Sequence, residues 1–195
     1  MLTGMRLIFW LWCGWCLYWM LAALRSKATR RREPLASRLA HLLPLAAGAT
    51  LLAWPARGWS ALAWRLWPPS LFACWIGVAL VIGGLAFAIW ARVHLGGNWS
   101  GTVTVKQGHE LVRSGPYACV RHPIYTGLTT ALLGTTLASG TLHAIIGLAI
   151  IVLAFVRKSG IEEGFMREAF PGEYQRYSAQ TPSLVPFTKP RSAPH

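Results

Sequence analysis

The apolar residues of this chain come in blocks long enough to cross a lipid bilayer, and nothing else in the sequence narrows its fold as much. Residues 5–24, 39–54, 71–91, 124–138 and 142–156 are almost free of charge. No water is available inside hydrocarbon to bond a bare peptide group. Each block must therefore satisfy its own backbone, and a helix does so within one segment. About twenty residues, at about 1.5 Å each, cross a core about 30 Å thick. The blocks predict an all-α fold, a polytopic membrane helical bundle of about five transmembrane helices.

The first block, Met5 to Leu24, has Arg6 as its only charge. It is too long for a signal-peptide core and is followed by no small-residue cleavage site, so a retained helix is expected. The second, Leu39 to Trp54, contains Pro44, which a transmembrane helix tolerates as a kink. The third, Leu71 to Ala91, carries Gly77, Gly83 and Gly84, which permit close helix approach. Ser139-Gly140-Thr141 divides Ile124–Ala138 from Leu142–Val156 and predicts a helical hairpin rather than one long helix. The expected organisation is one integral-membrane domain over 1–195. It comprises three N-terminal spans (1–91), a polar connection (92–123), the hairpin (124–156) and a C-terminal segment (157–195). That last segment is expected to form an amphipathic helix followed by a Pro-rich end.

A net charge of +13 raises the possibility of nucleic-acid binding, but 54% of the residues are hydrophobic and only 13% charged, where soluble domains carry about 25%. The basic residues instead mark topology. Arg25, Lys27, Arg30, Arg31 and Arg32 follow the first block. Arg92, Lys106, Arg113 and Arg121 follow the third, and Arg157, Lys158, Arg167, Arg176, Lys189 and Arg191 lie in the tail. The other connections hold only Arg57 and Arg65. The positive-inside rule then places the C-terminus in the cytoplasm and the N-terminus outside. The polar connection and the tail share the cytoplasmic face. Trp54, Trp59, Trp64 and Trp67 fit an interfacial belt. The Arg-rich, Ala- and Trp-rich composition points to a GC-rich bacterial genome, hence to a bacterial inner membrane. Neither nucleic acid nor an obligate protein partner is indicated.

Four cysteines are present, and Cys13 and Cys16 form a C-x-x-C inside an apolar, Trp-rich run. They read as helix-face residues, not as a redox or zinc site. The histidines lack metal-ligand spacing and the chain has no Asp, so no metal is expected. His41 and His143 read as interfacial or hydrogen-bonded helix residues, and His94, Asn98, Trp99 and Ser100 either line a site entrance or close a helix end. No Walker loop or dinucleotide fingerprint is present.

The chemistry concentrates between His109 and Gly127. Gly115-Pro116 marks a turn. Pro123 biases His122 away from helix, which puts its ring on a turn entering the fourth span. Arg121, His122 and Tyr125 could then converge on a carboxylate, aided by the helix N-terminus. Interfacial anchoring is the alternative for each residue singly. The second polar segment contains Glu162-Glu163. The pair could be solvated and paired to Arg167 or Lys158. It could equally hold a carboxylate in a site as base, or as partner to a ligand's ammonium or ribose hydroxyls.

Together the two segments resemble the isoprenylcysteine carboxyl methyltransferases and related phospholipid methyltransferases. The first is His109-x-Leu111-Val112-x-x-Gly115-Pro116-Tyr117-x-x-Val120-Arg121-His122-Pro123-x-Tyr125-x-Gly127. The second is Glu162-Glu163-x-x-Met166-x-x-x-Phe170-Pro171-x-Glu173-Tyr174-x-x-Tyr177, ending at Pro182-x-Leu184-x-Pro186. The resemblance implies a membrane methyltransferase whose S-adenosylmethionine occupies a cytosolic pocket capped by the C-terminal helix, with a lipophilic or lipid-modified substrate entering between helices. It also implies that His109, Leu111, Val112, Gly115 and Tyr117 surround adenosine, and that His122, Pro123 and Tyr125 bind the methionyl end. Glu162 or Glu163 would complete the pocket, and Arg121 would orient His122 or bind the cofactor carboxylate. The Arg usual before the paired Glu has no direct counterpart; Arg157 and Lys158 are nearest. The acceptor could be an isoprenylcysteine-like carboxylate, a lipid amine or a thiol. Competing readings are an NADPH-dependent reductase of the sterol-reductase type and a non-enzymatic membrane scaffold.

Overall fold

The computed structural model describes residues 1–24, 35–53, 64–96 and 111–188. Among them run seven helices: α1 (Leu2–Leu24), α2 (Leu35–Ala53), α3 (Leu71–Leu95), α4 (Pro116–Cys119), α5 (Pro123–Ser139), α6 (Leu142–Ala169) and α7 (Glu173–Gln180). The all-α bundle expected from the apolar blocks is what forms. By length and hydropathy α1, α3 and α6 are each able to cross a membrane. The apolar part of α2 is shorter, Leu39–Ala53, and α5 has 17 residues. The basic loop 25–34, with Trp54, Trp59 and Arg57, lies outside the described residues.

Two helix pairs make the bundle: α3 packs most extensively on α5, and α2 on α6. Glycine permits both approaches. A Cβ on Gly77 would stand 2.5 Å from the carbonyl oxygen of Gly134, and one on Gly127 would stand 2.5 Å from that of Gly84. The backbones therefore touch where any other side chain would hold them apart. Gly83, beside Gly84, faces nothing within 4 Å and takes no part. In the second pair a Cβ on Gly147 would meet the Gly48 carbonyl at 2.7 Å. Val81, Leu85, Ala88, Leu128, Ala131, Ile151 and Phe155 fill the space between the pairs. Trp12 of α1 donates its indole N–H to Thr135 Oγ1 of α5 at 3.0 Å.

One end of the bundle is closed by backbone. Gly140, left-handed at φ +66°, makes the turn between α5 and α6, and Trp67 lies where its Cβ would be. The amide of Leu66 donates to Gly140 O at 2.9 Å, and that of Leu142 to Trp64 O at 3.0 Å. His143 Nδ1 donates to Leu51 O at 2.8 Å, as expected of a hydrogen-bonded helix histidine. Cys13 and Cys16 are exposed on the face of α1.

At the other end α6 runs on to Ala169, well past the expected limit of its span at Val156. At about 1.5 Å per residue, about 30 Å of helix from Leu142 ends near Ile161. Glu162 and Glu163 follow that length directly, on a rigid helix and not on a separate tail.

Candidate functional site

Pro123 starts α5 and His122 is its N-cap residue, with φ −123° and ψ 62°. The ring thus sits on the turn entering the helix, as its position before proline dictates. Arg121, His122 and Tyr125 converge on two carboxylates of the chain itself. Arg121 Nε and Nη2 donate to Glu163 Oε1 at 3.0 and 2.7 Å. His122 Nε2 lies 3.2 Å from the same oxygen, and its Nδ1 lies 3.4 Å from Glu162 Oε2. Tyr125 donates its hydroxyl to Glu162 Oε1 at 2.7 Å. Arg167, one turn along α6, reaches Glu163 Oε2 at 3.2 Å. Glu163 thus has the i,i+4 partner of the first reading, Arg167, but is buried, and it also ties α6 to the start of α5.

Four of the five guanidinium N–H groups of Arg121 are bonded within the chain. Its Nη1 donates to the carbonyls of Ser178 (2.9 Å) and Thr181 (2.5 Å), at the end of α7 and just beyond. The segment from Thr181 to Leu184 lies across the cluster as a strap. The amides of Arg121 and His122 donate to Pro182 O (2.8 Å) and Ser183 O (3.0 Å). Ser183 Oγ donates to Glu163 Oε1 at 3.1 Å, and Thr126 Oγ1 to Leu184 O at 2.6 Å. Ser183 and Thr126 were not singled out from the sequence, although Pro182-x-Leu184-x-Pro186 belongs to the second motif.

The two glutamates differ. The side chain of Glu163 is 9% exposed and accepts from four partners, whereas Glu162 is 28% exposed. Glu162 accepts the Tyr125 hydroxyl, faces His122, and feels the charge of Lys158; Arg157 is exposed. His122 is drawn both ways. Burial pulls its pKa down, but hydrogen bonds and charge from the two carboxylates outweigh that and raise it above the usual histidine value. Its ring stacks on Tyr125 (centroids 5.8 Å apart), and Tyr125 stacks on Phe155 (4.8 Å), so an aromatic run leads from the polar cluster into the core.

A second wall lies beside it. Gly115, at φ +58°, turns the chain into α4, and His94 occupies the space its Cβ would take. The imidazole of His94 lies 2.9 Å from Ser114 Oγ and stacks on Tyr117 with centroids 6.4 Å apart. Tyr117 is buried, its carbonyl accepts the Tyr177 hydroxyl at 2.6 Å, and burial, chiefly, raises its pKa. Leu111 and Val112 are half-buried at the start of this wall. His109, Asn98, Trp99 and Ser100 lie outside the described residues. Among the described residues no group of His, Cys, Asp and Glu could hold a metal ion.

The family model for phospholipid methyltransferases matches residues 72–173, from α3 to the start of α7. A rice protein (Oryza sativa subsp. indica) named probable protein-S-isoprenylcysteine O-methyltransferase is 27% identical over 119 residues, 60% of this chain and 62% of its own length. A nickel-cobalt-cadmium resistance protein, NccN, of Alcaligenes xylosoxydans xylosoxydans is 32% identical over 117 residues, 57% of this chain and 52% of that protein. The match thus takes in less than two thirds of either relative. Among solved structures, the eukaryotic intramembrane Ras methyltransferase ICMT (isoprenylcysteine carboxyl methyltransferase) is similar with a TM-score of 0.52 at 22% identity. That match covers 78% of this chain and 51% of the other, and it bears on the fold.

Proposed function

This chain belongs to the phospholipid methyltransferase family, and we propose that it transfers a methyl group from S-adenosylmethionine to a lipophilic acceptor at the membrane surface. The observation that carries this reading is the carboxylate pair of α6 held against His122 and Tyr125 at the hydrocarbon edge. Arg121 and Arg167 offset Glu163, whereas Glu162 stays partly open and less compensated. That donor set suits a ligand bearing a sulfonium and an ammonium. A dinucleotide's phosphates would instead need open cationic donors, whereas four of the five N–H groups of Arg121 are bonded within the chain.

The cofactor supplies an already activated methyl carbon, so the protein's work is placement and exclusion of water. Glu162 would hold the ammonium, and Tyr125 fixes the rotamer of Glu162. His122 and Pro123 set the floor at the methionyl end. Leu111, Val112, Gly115 and Tyr117 would flank the adenosine, and the resemblance assigns His109 to the same part of the cofactor. Arg121 is a positioning residue that locks Glu163 to the strap, and Glu163 holds His122. A carboxylate or thiolate acceptor needs no base, whereas a lipid amine must lose a proton, which Glu162 can take up. The site faces the cytoplasm of a bacterial inner membrane, where the donor is made.

The test is transfer of labelled methyl from S-adenosylmethionine by the protein in nanodiscs to a panel of a membrane lipid extract, a farnesylcysteine analogue and lipophilic thiols. A labelled product extracted with the lipid phase is expected. Calorimetric binding of NADPH in place of S-adenosylmethionine would replace this reading with a reductase. Binding of neither would leave a scaffold.

A further inference from the structure

The strap ends in a turn that presents apolar side chains outward beside the end of α5 where that helix enters the membrane. Pro186 takes the first corner, and Phe187 takes the second at φ +62°, a left-handed value that favours glycine. Thr188 Oγ1 donates to Val185 O at 2.7 Å and closes the turn. Val185 is 60% exposed and Phe187 105%. A phenylalanine in a glycine conformation, with its ring directed away from the described protein, is strain retained for a contact outside the fold.

The height of this turn says what the contact is. Thr126, whose hydroxyl holds the Leu184 carbonyl, is the fourth residue of α5. The 17 residues of α5 make about 26 Å of helix, shorter than the roughly 30 Å hydrocarbon core. Its first turn therefore lies at or within the acyl boundary and does not project into water. The same level follows from α6, whose hydrocarbon length ends beside Glu162, the partner of Tyr125. Lys189 and Arg191 come next in the sequence. An aromatic followed by basic residues is the order that suits the boundary between acyl chains and anionic headgroups.

We propose that the Val185–Phe187 turn inserts into the acyl–headgroup boundary and anchors the strap to lipid. The strap closes over the Glu163 cluster on one side and is held to the bilayer on the other, so its closure is coupled to the membrane. The inference rests on the membrane reading of the helices and not on methyl transfer.

The experiment places p-benzoylphenylalanine at Phe187, and separately at exposed Gln175 of α7, in nanodiscs of phosphatidylethanolamine and phosphatidylglycerol. After irradiation, lipid adducts are expected at 187 well above those at 175. Equal yields, or crosslinks to protein alone at 187, overturn the proposal. Phe187→Gly supplies a second readout without the bulky label. It relieves the left-handed strain, so a purely conformational role predicts slower amide exchange across 181–184. A lipid anchor predicts exchange several-fold faster in the same nanodiscs. Slower or unchanged exchange sinks the anchor. Neither readout involves the cofactor, so failure here leaves methyl transfer untouched, and failure of methyl transfer leaves the anchor untouched.

Discussion

The α3–α5 seam and the cluster under the strap are both closely packed, but by opposite means. The seam is glycine on backbone: Gly77 and Gly84 face Gly134 and Gly127 at distances where a Cβ would clash. The cluster is built around one guanidinium. Arg121 joins Glu163 of α6 to the carbonyls of Ser178 and Thr181, and Ser183 of the strap adds a bond of its own to Glu163. The seam is lost by adding an atom, the cluster by removing a charge. Buried ion pairs are costly to make and costlier to break, because the survivor is left uncompensated.

The largest effect should therefore come from the cluster. Arg121→Met leaves Glu163 buried without its main counter-charge and the Ser178 and Thr181 carbonyls without that donor, at a cost of about 3–5 kcal/mol. A lowered thermal midpoint should accompany rapid amide exchange in the strap. If Arg121→Met is as stable as the parent, Arg121 does not hold the strap. Arg121→Lys keeps the charge but loses the fork, and should fall between the two. The seam comes next. Gly127→Ala pushes a methyl against the Gly84 carbonyl and should cost about 1–3 kcal/mol. Gly83→Ala meets nothing within 4 Å. It should be neutral or stabilising by up to about 1 kcal/mol from helix propensity. Equal midpoints for the two alanine variants would mean that the helices do not touch through glycine.

How far these two regions could be read from the sequence differs for physical reasons. The apolar blocks determine helices and their approximate ends, because a bilayer leaves few alternatives. Close approach was legible at Gly77 and Gly84. Gly83 misleads because adjacent residues of a helix point about 100° apart, so only one of two neighbours can face a given partner. The continuation of α6 past Val156 was hidden by a change of composition at Arg157. Polarity changes there, but no proline interrupts the helix before Pro171. Proline before helix located His122, and the Arg121-His122-Tyr125 spacing pointed to a carboxylate. What filled that carboxylate's place could not be read, since Glu163 is 42 positions from Arg121 in sequence. The strap is harder still. Its backbone pairing with Arg121 and His122 depends on tertiary placement, and of its side chains only Ser183 enters the cluster.

Within the cluster, smaller changes sharpen the contrast between Glu163 and Glu162. Tyr125→Phe removes the hydroxyl from Glu162, which is open enough for water to replace it in part. The cost in stability should be about 1 kcal/mol. If Glu162 is the ligand-facing carboxylate, cofactor affinity should fall by about tenfold, as about 1.4 kcal/mol dictates. Calorimetry with S-adenosylmethionine measures this. A variant that loses a comparable amount of stability and no affinity would assign Glu162 to the scaffold alongside Glu163.

The smallest effect is a pH dependence, and its sign is fixed by His122. The two carboxylates raise its folded pKa above 6.5 against the opposing pull of burial. A histidine that binds its proton more tightly when folded contributes stability that is complete below about pH 6.5. That contribution is lost as pH rises through the folded value. The thermal midpoint should therefore drift down from about pH 6 to about pH 9, and His122→Gln should flatten that drift. An upward drift in the parent across this window would mean that His122 is neutral in the fold. The charges holding the carboxylate pair would then be those of Arg121, Arg167 and Lys158, and the polar cluster would differ from the glycine seam by one charge fewer.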